Sequence, residues 1–234
     1  MNLRKMLATI RAYRAGAPLG DVLVLKLDSL SAPPKGIASK LEPVRGYAPP
    51  HDLRVLRMLP GGTLGREYAR FLDANGIEPL VISDAMKERF RENPFALRYA
   101  TTHDLHHVLA GFDTGLAGEA GGIGFNVGQG SSPGGSALIW GPRLLWSLLS
   151  PTQVHRIWHN VRVGRDLGSR ARLVIAQPLE DWFEEPLAQV RERLGIRDPQ
   201  AAGVLASGTS VIGDALYKKK QAADAPLATG RRVG

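Results

Sequence analysis

Four residues that can bind a metal lie close together near the middle of the chain: His103, Asp104, His107 and, after eleven intervening residues, Glu119. His103 and His107 are four apart, so on a helix they share one face, and Asp104 borders that face. Imidazole nitrogens bind zinc, iron or manganese, and carboxylates neutralise the charge of the ion. Two histidines with one or two acids leave coordination positions open, as in a catalytic site rather than a closed structural one. An ion held there can polarise a carboxylate or enolate oxygen of a substrate, or activate water. The 234-residue chain has no cysteine, which excludes thiolate sites, disulfides and cysteine nucleophiles.

The elements that must position these residues read as helices. Asn93-Pro94 is a cap followed by proline at the first helical position. The helix then runs over 94–110 and stops at Gly111. Asp113 or Thr114 is expected to cap a second helix reaching about residue 126. Glu119 falls in its first turns, so a helical hairpin would fold the carboxylate back over the imidazoles. Upstream, residues 3–14 place Leu3, Met6, Leu7, Ile10 and Tyr13 at helical spacing among basic residues, a pattern that suits either a membrane surface or packing on the domain. Residues 21–27 (DVLVLKL) fit a buried helix or a strand. Residues 31–50, with five prolines, read as irregular chain. A helix over 64–75 ends at Gly76, Ser83 caps another to about 92, and 129–135 is a Gly/Ser loop. Ser132-Pro133 and Ser150-Pro151 repeat the cap-then-proline signal, and a late helix over 179–194 breaks at Pro186 and ends at Gly195. The fold expected is all-α: one helical domain over 1–207 and a loose basic tail from 208.

Composition narrows the function. Hydrophobic residues make up 44% and charged residues 22%, enough apolar material for a packed soluble domain. The net charge is +8, and residues 1–60 carry ten Lys/Arg against four acids. That bias suits an anionic membrane surface. Nucleic acid is not expected, because aromatics are only 6% and no zinc-finger, RNP or helix-turn-helix signature is present. No window reaches the ~20 apolar residues of a membrane span; the nearest, 136–149, is broken by Pro142 and Arg143. Arg11 and Arg14 interrupt any secretory apolar region. The expected location is cytoplasmic, peripheral to the inner membrane.

His103-Asp104-x-x-His107-x11-Glu119 resembles the signature of the Coq4 family of ubiquinone-biosynthesis proteins. LPGGTLGREYARFL at 59–72, Gln129-Gly130, and the stretch 182–196 containing EEPLAQVRERLGI are similar to the family as well. The resemblance covers roughly residues 55–197. It implies an all-helical fold, peripheral membrane association and membership of a quinone-biosynthesis complex. It also implies a divalent metal at His103, Asp104, His107 and Glu119, zinc first, with Mg2+, Mn2+ or Fe2+ as alternatives. The implied activity is removal of the ring C1 carboxyl from a polyprenylated hydroxybenzoate, with hydroxylation replacing it. The implied partners are a polyprenylated aromatic or quinone lipid, other quinone-biosynthesis proteins and a second copy of the chain. His106 falls on a variable position of the motif and receives no role.

Two other readings stay open. A non-catalytic lipid- or quinone-binding scaffold is suggested by the basic N-terminal half and by the apolar stripe of Leu138, Ile139, Trp140, Leu144, Leu145, Trp146 and Leu148, which suits either a prenyl groove or core. A metal-dependent phosphohydrolase is suggested by the His-Asp dipeptide alone, without the further His and Asp that would complete such a site. His155 and His159 form a second i, i+4 pair with no matched acid, so no second metal is expected, and Trp158 and His159 are read as packing residues.

Overall fold

The computed structural model describes residues 2–30, 34, 36–91, 94–132 and 140–208. Among them no strand forms, and the one isolated bridge pairs Thr63 with Pro186. Helix α7 (Pro94–Ala110) organises the rest. It is buried on nearly every side, and its buried residues include the polar Arg98, Thr102, His106 and His107 as well as apolar ones, so no single apolar stripe stands out. Its C-terminal half, through Leu105, Val108 and Leu109, packs with α5 (Leu64–Asn75), α10 (Val154–Arg170) and α11 (Leu187–Leu194). Its N-terminal half, through Ala96, Leu97 and Ala100, packs on Val24 and Leu25 of α2 (Leu19–Leu30). Phe95 reaches a third cluster with Ile37, Leu41, Val44 and Ile175.

Several ends fall where the local chemistry directs them. Thr63 caps α5 through Arg66 N, Ser83 caps α6 (Asp84–Arg89) through Met86 N, and left-handed Gly76 and Gly195 close α5 and α11. The ambiguous 21–27 segment is helical, inside α2. Residues 31–50 are less irregular than expected: α3 (Ile37–Lys40) and a 3-10 turn (Glu42–Val44) bury Ile37, Leu41 and Val44. Helix α6 stops at Arg89 because Phe90 turns into the core. Residues 179–194 divide as expected around Pro186, into a 3-10 turn (Leu179–Trp182) and α11. Asn93, Pro133, Leu138, Ile139 and the tail from 209 lie outside the described residues.

Helix α8 (Leu116–Gly128) lies backbone to backbone on α10. A Cβ at Gly121 would strike Phe112, one at Gly124 the carbonyl of Val161, and one at Gly164 the carbonyl of Gly121. Only glycine permits this approach. Two helices remain at the margins. Helix α1 (Leu3–Arg14) rests on α2, and α9 (Trp140–Leu149) leans on α10 through Trp146. Leu144, Leu145 and Leu148 of α9 are exposed, so this part of the apolar stripe is not core. Among the described residues no helix is long and apolar enough to cross a membrane.

Candidate metal centre

The last turn of α7 is held from three directions, and His107 sits in it. Arg191 of α11 donates through Nε to Leu109 O and through Nη2 to Val108 O, both 2.9 Å, satisfying carbonyls left open at the helix end. Gly111 takes a positive φ of 73°. Phe112 N then donates to His107 O at 3.1 Å, and the Phe112 carbonyl faces His107 Nδ1 at 3.1 Å. A carbonyl can only accept. Nδ1 therefore carries the proton, and the lone pair of His107 is on Nε2.

The chain turns through 111–115 and enters α8. Neither expected cap occupies the cap position. Gly115 does, and Asp113 accepts from Gly115 N from two residues earlier while its carboxylate also binds Ser207. Thr114 instead donates to Asn75. The helix continues to Gly128, past the expected stop near 126, because its glycines keep packing on α10.

The hairpin brings three of the four sequence candidates together. One donor atom from each of His103, His107 and Glu119 lies within 4.8 Å of the others. His107 Nε2 is 3.6 Å from Glu119 Oε1, and the two imidazole centroids are 5.0 Å apart. Asp104 is not in that group. Its Oδ1 faces His103 Nδ1 at 3.1 Å, which directs the second His103 nitrogen, Nε2, away from the carboxylate. Both histidines thus have one nitrogen fixed by an oxygen, the arrangement that orients metal-binding imidazoles. Phe71 stacks on His107, 5.5 Å between centroids. Beside Glu119, a Cβ on Gly122 would lie 3.7 Å from His107 Nε2, so glycine keeps the space over the donor clear.

The electrostatics also suit a cation. Burial works against a charged His103, but the hydrogen bond and charge of Asp104, then the charge of Glu119, outweigh it and raise its pKa to about 9. Desolvation pushes the Asp104 carboxyl up, and the hydrogen bond and charge of His103 more than offset that, leaving its pKa below the ordinary carboxylate value. Two acids around two nitrogen donors make a negative pocket that a divalent ion fits in charge and in ligand type. The His103 side chain is 39% exposed and that of Glu119 16%, so the site opens to one side, as a catalytic centre requires.

The other histidines behave differently. His106 is buried in the core, its Nε2 3.4 Å from Thr102 Oγ1. Burial, then the electrostatic influence of the neighbouring His103, His107 and Arg98, lowers its pKa to about 3. His159 is bound to the Gly203 carbonyl at 2.8 Å and stacks on His155. Among the described residues no acid completes a second metal group around them.

Two neighbouring cavities were not anticipated from the sequence, and the smaller reaches Asp104. One, about 80 Å³, is lined by Asp104, Thr101, Tyr68, Lys87, His51 and Glu180 among others. A wider cleft of about 380 Å³ shares its Pro49, Pro50, His51 and Glu180 wall and opens outward. The first is too small for a prenylated ring, whereas the second falls in the ordinary range of ligand clefts, roughly 300–1,000 Å³. His51 stands between them, edge-on to Tyr68 and Phe183. Among the described residues neither of its buried ring nitrogens finds a hydrogen-bond partner, and burial lowers its pKa. Glu180 is anchored by Arg98, an almost fully buried ion pair of 2.8 Å whose guanidinium also donates to the carbonyls of Tyr47, Ile175 and Gln177. No spacing rule marks His51 or Arg98. The one signal is a charged residue set in the apolar run PFALRYA.

Comparison with known proteins agrees with the motif. Residues 50–200 match the family described as coenzyme Q (ubiquinone) biosynthesis protein Coq4. The mitochondrial ubiquinone biosynthesis protein COQ4 homolog of Danio rerio is 31% identical over 187 residues, 79% of this chain and 68% of that protein. The Homo sapiens homolog is also 31% identical, over 182 residues, 74% of this chain and 64% of that protein. The chain thus spans about two-thirds of the length of these relatives. A crystal structure of a candidate ubiquinone biosynthesis protein from Nostoc punctiforme shares the fold, with a TM-score of 0.56, 24% identity, and coverage of 83% of this chain and 97% of that one. From its motif, its helical architecture and these relatives, the chain belongs to the Coq4 family of ubiquinone-biosynthesis proteins.

Proposed function

We propose that this protein is a metal-dependent enzyme of ubiquinone biosynthesis that carries out an oxidative decarboxylation at ring C1 of a polyprenylated hydroxybenzoate: the carboxyl leaves as CO2, and an external two-electron oxidant supplies the hydroxyl that replaces it. The observation that carries the reading is the convergence of His103, His107 and Glu119, with the second nitrogen of each imidazole already fixed by Asp104 or by the Phe112 carbonyl. These three would hold a divalent ion, zinc first and Mg2+, Mn2+ or Fe2+ as alternatives. When bound, the ion supplies Lewis acidity for anchoring a ring carboxylate and phenolate and for taking up charge as the carboxyl departs. Asp104 enters the proposal as the acid that aims His103 and adds negative charge beside the ion. Phe112 holds the His107 tautomer, and Phe71 and the burial of His107 keep water from its ring. The cleft beside His51 is the proposed seat for the bulk of the substrate, and it shares its His51 and Glu180 wall with the smaller cavity that touches Asp104. The membrane surface and the other quinone-biosynthesis proteins are the proposed partners, with self-association into a homo-oligomer.

The test is elemental metal analysis of the wild-type protein beside His103→Ala and Glu119→Ala. Near-stoichiometric metal, lost in both variants while their helical circular dichroism is kept, supports the centre. Metal-free wild-type protein after reloading removes the physical purpose of the motif. A second reading, a lipid-binding scaffold without chemistry, draws on the exposed Leu144, Leu145 and Leu148 of α9. Full restoration of quinone synthesis by folded His103→Ala in cells lacking the wild-type protein would favour that reading and end the enzymatic one.

A further inference from the structure

The first turn of α8 carries Glu119, and a distant segment ties it down. Residues 203–208 cross the start of α8 and the outer side of α10 as an extended strap. Asn160, fully buried on α10, exchanges two hydrogen bonds with Leu205: Leu205 N donates to Oδ1 at 3.0 Å and Nδ2 donates to Leu205 O at 2.7 Å. The same Nδ2 donates to Ala117 O in α8 at 3.0 Å. Arg156 binds Ala206 O, and Gly208 N donates to Gln153 Oε1. At the centre is Ser207. Its amide donates to Asp113 Oδ2 at 2.6 Å, its hydroxyl donates to Asp113 Oδ1 at 2.5 Å, and its oxygen accepts from Gly118 N at 3.0 Å. Asp113 Oδ1 also accepts from Gly115 N. Two first-turn amides with no partner inside the helix are thus satisfied, one of them by a residue 89 positions away. A Cβ at Gly115 would strike Ser207, and one at Gly118 would strike Asp113, so the approach depends on both glycines.

We propose that Ser207 and Asp113 form a latch that positions Glu119 for the metal. The inference rests on the metal reading of the site and goes beyond it by naming two positioning residues. Ser207 lies outside the family-matching stretch 50–200. Glu119 directly follows the amide that Ser207 holds, and a connection of only five residues, 111–115, joins α8 to the helix of His103 and His107. Within that hairpin the strap sets where the first turn of α8 stands relative to His107. Releasing the latch frees the carboxylate without removing any donor atom.

The experiment titrates Co2+ into the full-length protein and follows its visible ligand-field bands. It compares wild type, Ser207→Ala, Glu119→Ala and the double variant, with thermal unfolding as the control. Ser207→Ala is expected to weaken Co2+ binding by about 10- to 100-fold, the range typical when an orienting partner of a metal ligand is lost, and to alter the band envelope. In the Glu119→Ala background, whose residual weak binding is read at a large excess of Co2+, the same substitution is expected to change nothing further, because the latch acts through Glu119. Ser207→Thr, which keeps the hydroxyl, tests rescue. Equal Co2+ affinity in wild type and Ser207→Ala would overturn the latch while leaving the metal centre standing, as would an equal loss in both backgrounds. No Co2+ binding by the wild type would overturn the metal reading itself. If Ser207→Ala fails to fold, Asp113→Asn takes its place; it retains one acceptor and is expected to give a smaller loss, while unchanged affinity there overturns the latch.

Discussion

Asp104 and Gly122 separate the residues that donate to the proposed ion from those that shape its surroundings. Asp104 faces Nδ1 of His103 and stands outside the group of three donors, so Asp104→Asn should weaken metal binding by about 10- to 100-fold and leave it measurable. His103→Ala and Glu119→Ala should abolish stoichiometric binding. Equal, complete loss in all three, read by metal titration, would make Asp104 a direct ligand. Gly122 gives a steric counterpart. Its Cβ position is 3.7 Å from His107 Nε2, so Gly122→Ala should fold and bind metal, whereas the longer side chain of Gly122→Leu should fill the space over the donor. Undiminished metal content in Gly122→Leu would mean that the ion approaches from elsewhere. Arg98 is different in kind. Arg98→Met leaves Glu180 buried and charged without its partner, and should cost about 3–5 kcal/mol in urea unfolding. Of these residues His103, Asp104 and Glu119 were visible in the sequence, and Gly122 and Arg98 were not. Ligand chemistry repeats at helical spacing and can be read directly. Gly122, Arg98 and His51 owe their roles to neighbours brought close by the fold.

At the scale of elements, what could be read followed from how local the cause is. Ser83, Gly76, Gly111 and Gly195 mark helix ends through bonds or dihedrals within a few residues, and each was identified in the chain. The start of α8 was misjudged because Asp113 is committed to Ser207, a partner 94 positions away. Helix α10 begins without any side-chain cap, directly after a 3-10 turn over Pro151–Gln153, so the Ser150-Pro151 signal marks the start of that turn rather than of α10 itself. The contact of α8 with α10 was equally hidden, although its glycines are plain in the sequence, since spacing alone does not say which backbone they will meet. Gly164 and Gly168 are its tightest points. Gly164→Ala gains helix propensity but drives a methyl into the Gly121 carbonyl. The overpacking should cost about 1–3 kcal/mol and, by displacing α8, weaken metal binding too. An equal or higher melting temperature with normal metal binding would show that the two helices can part without consequence.

For the whole molecule, charge and exposed apolar surface meet at α1. The helix buries Thr9 and part of Ala12 against α2 and leaves Leu3, Leu7, Ile10 and Tyr13 exposed on the opposite side. Arg4, Arg11 and Arg14 flank that stripe, also exposed, and no acid lies in the helix to oppose them. An isolated exposed leucine needs no explanation, but a stripe of four large apolar groups edged with arginines matches a helix lying at an anionic bilayer surface. Each arginine near such a surface contributes about 1 kcal/mol, and that part is screened as ionic strength rises. The protein should therefore sediment with vesicles containing anionic phospholipid, less with purely zwitterionic ones, and progressively less from low to high salt. Leu7→Glu combined with Ile10→Glu should release it while leaving stability nearly unchanged, because both side chains already face water in the free protein. Binding that survives both substitutions would move the contact to another surface, for which Leu144, Leu145 and Leu148 of α9 are the next to substitute. If neither set of changes matters, the +8 charge serves solubility, and the prenylated substrate proposed above would have to be delivered by a partner rather than taken from the bilayer.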